Sequence, residues 1–230
     1  MEYIHNTEQF QFHNTVVALG KFDGMHKGHQ LIFDELIQYK QLGYQAAVFS
    51  FDRPPLNMLK HKHMRVIYTT NEKIKLLARR GIDIYIEHPF TDEFSHLSPE
   101  DFVIKVLLEK TGMKVLVVGD DCGFGYKRQG NVELLERMSK EYDFKLIVIP
   151  KLELEGEIVS STRIRHLLSE GKVEEANRLM EDPFMICGSV VHGNHMGAEV
   201  LQMPTANQIP LEDKLLPPNG VYAVSYTHLR

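Results

Sequence analysis

The chain has 230 residues, with 26 basic against 31 acidic side chains for a net charge of −5 and 43% hydrophobic content, proportions of an ordinary globular protein. No run of like charges marks a nucleic-acid-binding surface or a membrane-surface helix, and no apolar stretch reaches membrane-spanning length, so neither nucleic acid nor membrane is expected as a partner. Two cysteines, Cys122 and Cys187, lie far apart, and the polar N-terminus lacks signal-peptide order; a reduced, cytoplasmic protein is expected, with no disulfide framework and no cysteine zinc site.

Residues 15–19 form a short apolar, β-branched run that ends in Gly20. Further strand-like runs follow at 45–51, 83–86, 114–118 and 144–149. They are apolar throughout rather than alternating, as in strands buried on both faces. Helix-like segments lie between them. Residues 29–42 place Phe33, Leu36, Ile37 and Lys40 at helical spacing before Gly43. Residues 71–80 open on a capping Asn and end at Gly81. Residues 98–111 begin Ser-Pro-Glu-Asp, a cap followed by Pro in the first turn and acids at the positive end of the dipole. Residues 131–141 are the fourth. This alternation predicts an α/β fold, a Rossmann-like parallel sheet flanked by helices, with ligands beyond the carboxyl ends of the strands.

After Pro150, residues 159–168 read as a loop leading into a helix, and a second short helix spans 172–180. From Pro183 the pattern is β-like, broken by Gly and Pro. A boundary is therefore expected near 181–183, giving domains of 1–182 and 183–224. The remaining stretch is short for an independent core.

The turn after the first of these strands reads Gly-Lys-Phe-Asp-Gly-Met-His-Lys-Gly-His from Gly20 to His29. Gly20, Gly24 and Gly28 allow tight turning, and the start of a helix presents free N–H groups to an anion such as phosphate. His26 and His29 flank Gly28 and are candidates to stabilise a polyphosphate in displacement at phosphorus. Asp23 also suits a simple turn residue, and Phe22 the core. A second segment, Val-Ser-Ser-Thr-Arg-Ile-Arg over 159–165, sets Ser160, Ser161, Thr162, Arg163 and Arg165 just before a helix, where hydroxyls and guanidiniums suit phosphate oxygens. An ordinary N-cap with solvated arginines explains the same residues. The loop Gly-Asp-Asp-Cys-Gly-Phe-Gly at 119–125 follows the cleanest strand; its acids suit a ribose or base, or a solvated turn.

These segments together resemble the prokaryotic bifunctional riboflavin kinase/FMN adenylyltransferase family. Gly20, Phe22, Asp23, Gly24, His26, Gly28 and His29 match its Gly-x-Phe-Asp-Gly-x-His-x-Gly-His. Ser160, Ser161, Thr162 and Arg165 match its Ser-Ser-Thr-x-x-Arg. Val118, Gly119, Asp121, Phe124 and Gly125 match its Val-Gly-x-Asp-Phe-x-Phe-Gly, with Cys122 in place of Phe. The family's Phe-x-Pro-His-Pro appears as Phe51-Asp-Arg-Pro-Pro, without the histidine.

The resemblance implies adenylyl transfer from MgATP to FMN, giving FAD and pyrophosphate. It implies His26, His29 and Arg165 as catalytic and Gly20, Phe22, Asp23, Gly24, Gly28, Ser160, Ser161, Thr162 and Arg163 as nucleotide-binding. Phe51, Asp121 and Phe124 are flavin or adenosine candidates, and Mg2+ is held mainly by the phosphates. Residues 183–223 resemble the start of the family's riboflavin kinase β-barrel, with Thr205 and Asn207 in its nucleotide–magnesium site. Ala198 stands for the usual Arg, and Gln202-Met203 for Gly-Phe. The chain stops before most of that barrel, so riboflavin phosphorylation is expected of a longer parent and not of this chain. Residues 225–230 read as a non-native tail, since Val-Ser-Tyr-Thr-His-Leu from Val224 is one reading frame of a common transposon sequencing adapter. Two alternatives stay open: another nucleotidyltransferase of the same fold, such as a cytidylyltransferase, and a catalytically weak flavin- or nucleotide-binding sensor.

Overall fold

A computed structural model describes residues 1–52, 65–191 and 207–226. Six strands form one parallel sheet in the order β1-β4-β3-β2-β5-β6. They are β1 (Glu2–His5), β2 (Thr15–Leu19), β3 (Gln45–Phe51), β4 (Ile84–His88), β5 (Met113–Gly119) and β6 (Lys145–Ile149). β2 and β4 are buried along their whole length, and β3 and β5 nearly so, as continuous apolar runs require. Alternate residues feed two cores. Val16, Ala18, Val48 and Tyr85 face one layer, while Val17, Leu19, Phe49 and Ile86 face the other.

Helices α1 (Lys27–Gln41) and α2 (Thr70–Arg79) cover the first face, joined by α6 (Ser161–Ser169) and α7 (Val173–Leu179). The second face is covered by α5 (Val132–Glu141) and by a helix that starts as α4 (Pro99–Asp101) and continues in π geometry over Phe102–Leu108. A single turn, α3 (Asp92–Ser95), precedes it. The cap of α2 differs from expectation. Thr69, not Asn71, accepts from the Glu72 N–H, and the Glu72 carboxylate accepts from the Thr69 N–H, a reciprocal box that satisfies two helix-end donors. β1 was not expected from the sequence. It is a half-exposed edge strand fixed by Tyr3, whose hydroxyl donates to Glu87 at 2.7 Å. Glu87 also accepts from Tyr85, Thr70 and Lys73, so its buried charge is fully partnered.

A small hairpin, β7 (Glu153–Leu154) with β8 (Glu157–Ile158), lies between β6 and α6, and past α7 the described residues hold one antiparallel pair, β9 (Gly188–Val191) with β10 (Asn207–Pro210). They do not describe a closed barrel. Thr205, the prolines at 54 and 55, and Ala198 lie outside the described residues.

The chain runs outward from β2 through β3 to β4, then returns to the other side of β2 for β5 and β6. The switch point is thus between β2 and β5, where ligands bind in such sheets. The loops at 20–29 and 119–125 leave the carboxyl ends of these two strands.

Candidate active site

The turn after β2 is held in a demanding conformation. Phe22 (φ 48°), Gly24 (φ 82°) and Met25 (φ 36°) all adopt left-handed geometry, which costs energy at the two non-glycine positions unless the surroundings enforce it. The surroundings do so through Asp23. Its carboxylate accepts from the backbone N–H groups of Ile67 (3.0 Å) and Tyr68 (3.1 Å) and pairs with the Arg165 guanidinium. Its carbonyl accepts from the Ser161 hydroxyl at 2.6 Å. Phe22 is 3% exposed, packed beneath Gly20 and against the edge of His29.

The two histidines stack face to face with ring centroids 3.6 Å apart and planes 17° from parallel. Gly28 makes this possible. A Cβ there would lie 3.2 Å from both Cε1 and Nδ1 of His26. His26 caps α1, its Nδ1 accepting from the His29 N–H at 3.3 Å. A neutral His26 ring therefore carries its proton on Nε2. Burial holds His26 down at about 4, with Asp121 and Asp23 as weaker opposing charges. His29 lies well below its ordinary value, from burial and then from His26. At neutral pH both rings are uncharged, which is what lets two imidazoles stack.

The start of α1 is open to an anion. Its first turn carries no acid, unlike those of α2, α3, α4 and α5. His29 Nδ1 in α1, and Arg165 Nε and Arg163 Nη1 in α6, are buried and have no hydrogen-bond partner among the described residues. Partial desolvation lowers the Lys21 ammonium, the Arg128 and Arg165 charges lower it further, and Asp23 opposes them. Buried polar atoms without partners are costly, and a polyanion is a partner that the guanidinium donors among them could take.

The other residues singled out in the sequence divide. Ser160 is the N-cap of α6, accepting from the Arg163 N–H, and Ser161 is spent on Asp23; both shape the turn from outside. Thr162 is exposed at the start of α6. Arg163 pairs with Glu157 at 2.9 Å. Asp121 is exposed in the loop after β5 and pairs with Lys151 at 3.2 Å. Phe51 is half-buried at the end of β3, in an aromatic cluster with Phe90, Phe94 and Phe102. Phe124 lies beneath that cluster, 6% exposed, against Phe102. Asn207 is exposed on β10, remote from the turn in sequence. Burial raises the Cys122 thiol to about 11, so it is no nucleophile at neutral pH.

Sequence reasoning missed three supports. The backbone of residues 67–68 holds Asp23, and Met180 bridges to the backbone of His26. Lys214 is buried at 1% exposure against Glu72. Only the capping box at Thr69 and Glu72 had a readable signal.

The family described as FAD synthetase matches residues 8–163, and the family described as riboflavin kinase matches residues 180–230. A bifunctional riboflavin kinase/FMN adenylyltransferase of Buchnera aphidicola subsp. Schizaphis graminum is 39% identical over 224 residues, covering 96% of this chain and 71% of that protein. One of the same name from Listeria monocytogenes is 36% identical, covering 99% of this chain and 75% of that protein. A crystal structure described as a macrolide-efflux protein from Streptococcus pneumoniae superposes with a TM-score of 0.83 at 31% identity, covering 96% of this chain and 72% of that one. No helix among the described residues here is long and apolar enough to cross a membrane.

Proposed function

The chain belongs to the bifunctional riboflavin kinase/FMN adenylyltransferase family, and on that premise we propose that it transfers the adenylyl group of ATP to FMN. An oxygen of the FMN phosphate attacks the α-phosphorus of ATP. The bond from that phosphorus to the bridging oxygen of pyrophosphate breaks, and FAD and pyrophosphate leave. The observation that carries this reading is the pair of buried, uncharged, stacked imidazoles at a helix start without acids.

His26 donates from Nε2 to triphosphate oxygens, and His29 stands beside it. Both are preorganised, so little reorganisation accompanies the charge that develops on the non-bridging oxygens. The free N–H groups at the start of α1 add to the same field. Arg165 through Nε, Arg163 through Nη1 and Thr162 hold phosphates from the opposite side, with Ser160 and Ser161 framing them. Phe51 and its aromatic neighbours offer a flat apolar surface for the flavin, backed by Phe124, and Asp121 a carboxylate for ribose or base. The donors at the turn are imidazoles, hydroxyls and guanidiniums, which suit phosphate oxygens rather than a hard cation. Magnesium therefore enters with ATP, carried by the phosphates. A cytoplasmic setting is part of this proposal, supported by two free cysteines, as is a division of the chain near residue 182.

The test is incubation with MgATP and FMN, followed by flavin fluorescence loss and chromatography. FAD is expected, with little product from MgCTP. His29→Ala is expected to lower turnover with modest loss of stability. Unchanged turnover in that variant removes the role assigned to the histidine. Riboflavin in place of FMN tests separately the expectation that this chain does not phosphorylate it.

A further inference from the structure

A lysine far from the turn in sequence holds the turn's main support. Lys214 is completely buried as a side chain, as is its partner Glu72. Its ammonium donates to Glu72 Oε2 at 2.7 Å and to the carbonyls of Ile67 and Met185, each at 2.6 Å. Those three acceptors match the three protons of an ammonium. The rings of Phe184 and Tyr68 flank it, with centroids 4.5 and 5.0 Å from Nζ. On either side of Lys214 the backbone pairs with Val66: the Val66 N–H donates to the Asp213 carbonyl, and the Leu215 N–H to the Val66 carbonyl, both at 2.8 Å.

Ile67 is the link. Its carbonyl accepts from Lys214, the Tyr68 N–H of that same peptide donates to Asp23, and so does the Ile67 N–H. Asp23 in turn holds Arg165 and, through its carbonyl, Ser161. A continuous chain of hydrogen bonds therefore runs from Lys214 through one peptide to the carboxylate that orients the phosphate turn. Asp23, the backbone of residues 67–68 and Ser161 lie in the segment matched to FAD synthetase, whereas Lys214 lies in the segment matched to riboflavin kinase. Burying a lysine costs more than a neutral residue of similar volume, so stability alone is a weak reason for it here.

We propose that Lys214 is a positioning residue for adenylyl transfer: by clamping residues 67–68 it sets Asp23 and Arg165 in the geometry that receives the triphosphate, and so makes ATP binding depend on the kinase-like segment. This rests on adenylyl transfer being the reaction of the turn. Without the clamp, Asp23 loses its backbone donors and draws Arg165 further onto itself, away from phosphate.

The experiment measures FAD formation by the full chain and by Lys214→Met, varying MgATP and FMN separately, alongside thermal unfolding. A KM for ATP raised at least fivefold, with the KM for FMN within twofold, is expected. A merely structural role would shrink the folded fraction and lower apparent turnover while leaving both KM values in place, and that result overturns the proposal. If Lys214→Met gives no folded protein, Lys214→Arg is measured instead. It keeps the charge but not the compact three-donor head, so the raised KM for ATP is expected there too, and a KM within twofold of the unmodified protein overturns the proposal. No FAD from the unmodified chain would instead reject the adenylyl-transfer reading itself.

Discussion

Acidification should destabilise the fold through its histidine turn. Burial holds His26 at about 4 in the folded chain, against 6.5 for an ordinary histidine. Between these values the unfolded chain takes up a proton that the folded chain refuses. The stabilisation is therefore complete above 6.5 and is lost as pH falls toward 4. At about 1.36 kcal/mol per pH unit, His26 alone contributes a loss of about 2 kcal/mol on going from pH 7.5 to pH 5. His29, shifted in the same direction, adds to it. That is a large share of the roughly 5–15 kcal/mol of a typical domain. Urea unfolding at pH 7.5 and pH 5 measures it, with His26→Gln as the non-titrating control. The unmodified chain should lose about 2 kcal/mol more than the variant. A difference below about 0.5 kcal/mol would refute the reasoning that the ring is buried uncharged.

Gly28→Ala places a methyl 3.2 Å from the His26 ring in a helical position that otherwise favours Ala by about 0.5–1 kcal/mol. Adenylyl transfer should fall by about tenfold with unfolding stability within about 1 kcal/mol of the parent; full activity would show that the ring spacing is not needed. Asp23→Asn removes one charge of a pair whose side chains are 14% and 23% exposed. A loss of about 2–3 kcal/mol is expected, below the range for fully buried pairs because water still reaches the site. Unchanged denaturation midpoints would contradict a supporting role for Asp23.

Strands β2 and β3 begin and end where they are expected to, because their centres are apolar and buried on both faces. β1 gave no such signal: an edge strand four residues long, with Glu and His at its ends, resembles any polar N-terminus. The long helix over 98–111 was legible from Ser98 and Pro99, but not its widening into π geometry over Phe102–Leu108. In the site, the histidines and their glycine were readable because a strand-to-helix turn dictates what each can reach. The division of labour around them was not. Asp23 and Ser161 match a nucleotide-binding pattern, yet the structure spends them on holding the turn. Lys214 had no signature, since a single lysine in a Pro-rich segment reads as solvated until its acceptors are seen.

The turn at 20–29 emerges early in synthesis, but what enforces its left-handed residues does not. Ser161 and Arg165 meet Asp23 across 138 and 142 residues of chain. Contacts of that separation form late, after the loop they close has been paid for in entropy. β2, β3 and β4 can pair while the chain is still lengthening, whereas Asp23, between Phe22 and Met25, has only the backbone of residues 67–68 to hold it until α6 docks. Maturation of the site and collapse of the sheet should then be separable events, with a nascent chain released before residue 161 resembling the protein in its sheet and lacking its turn.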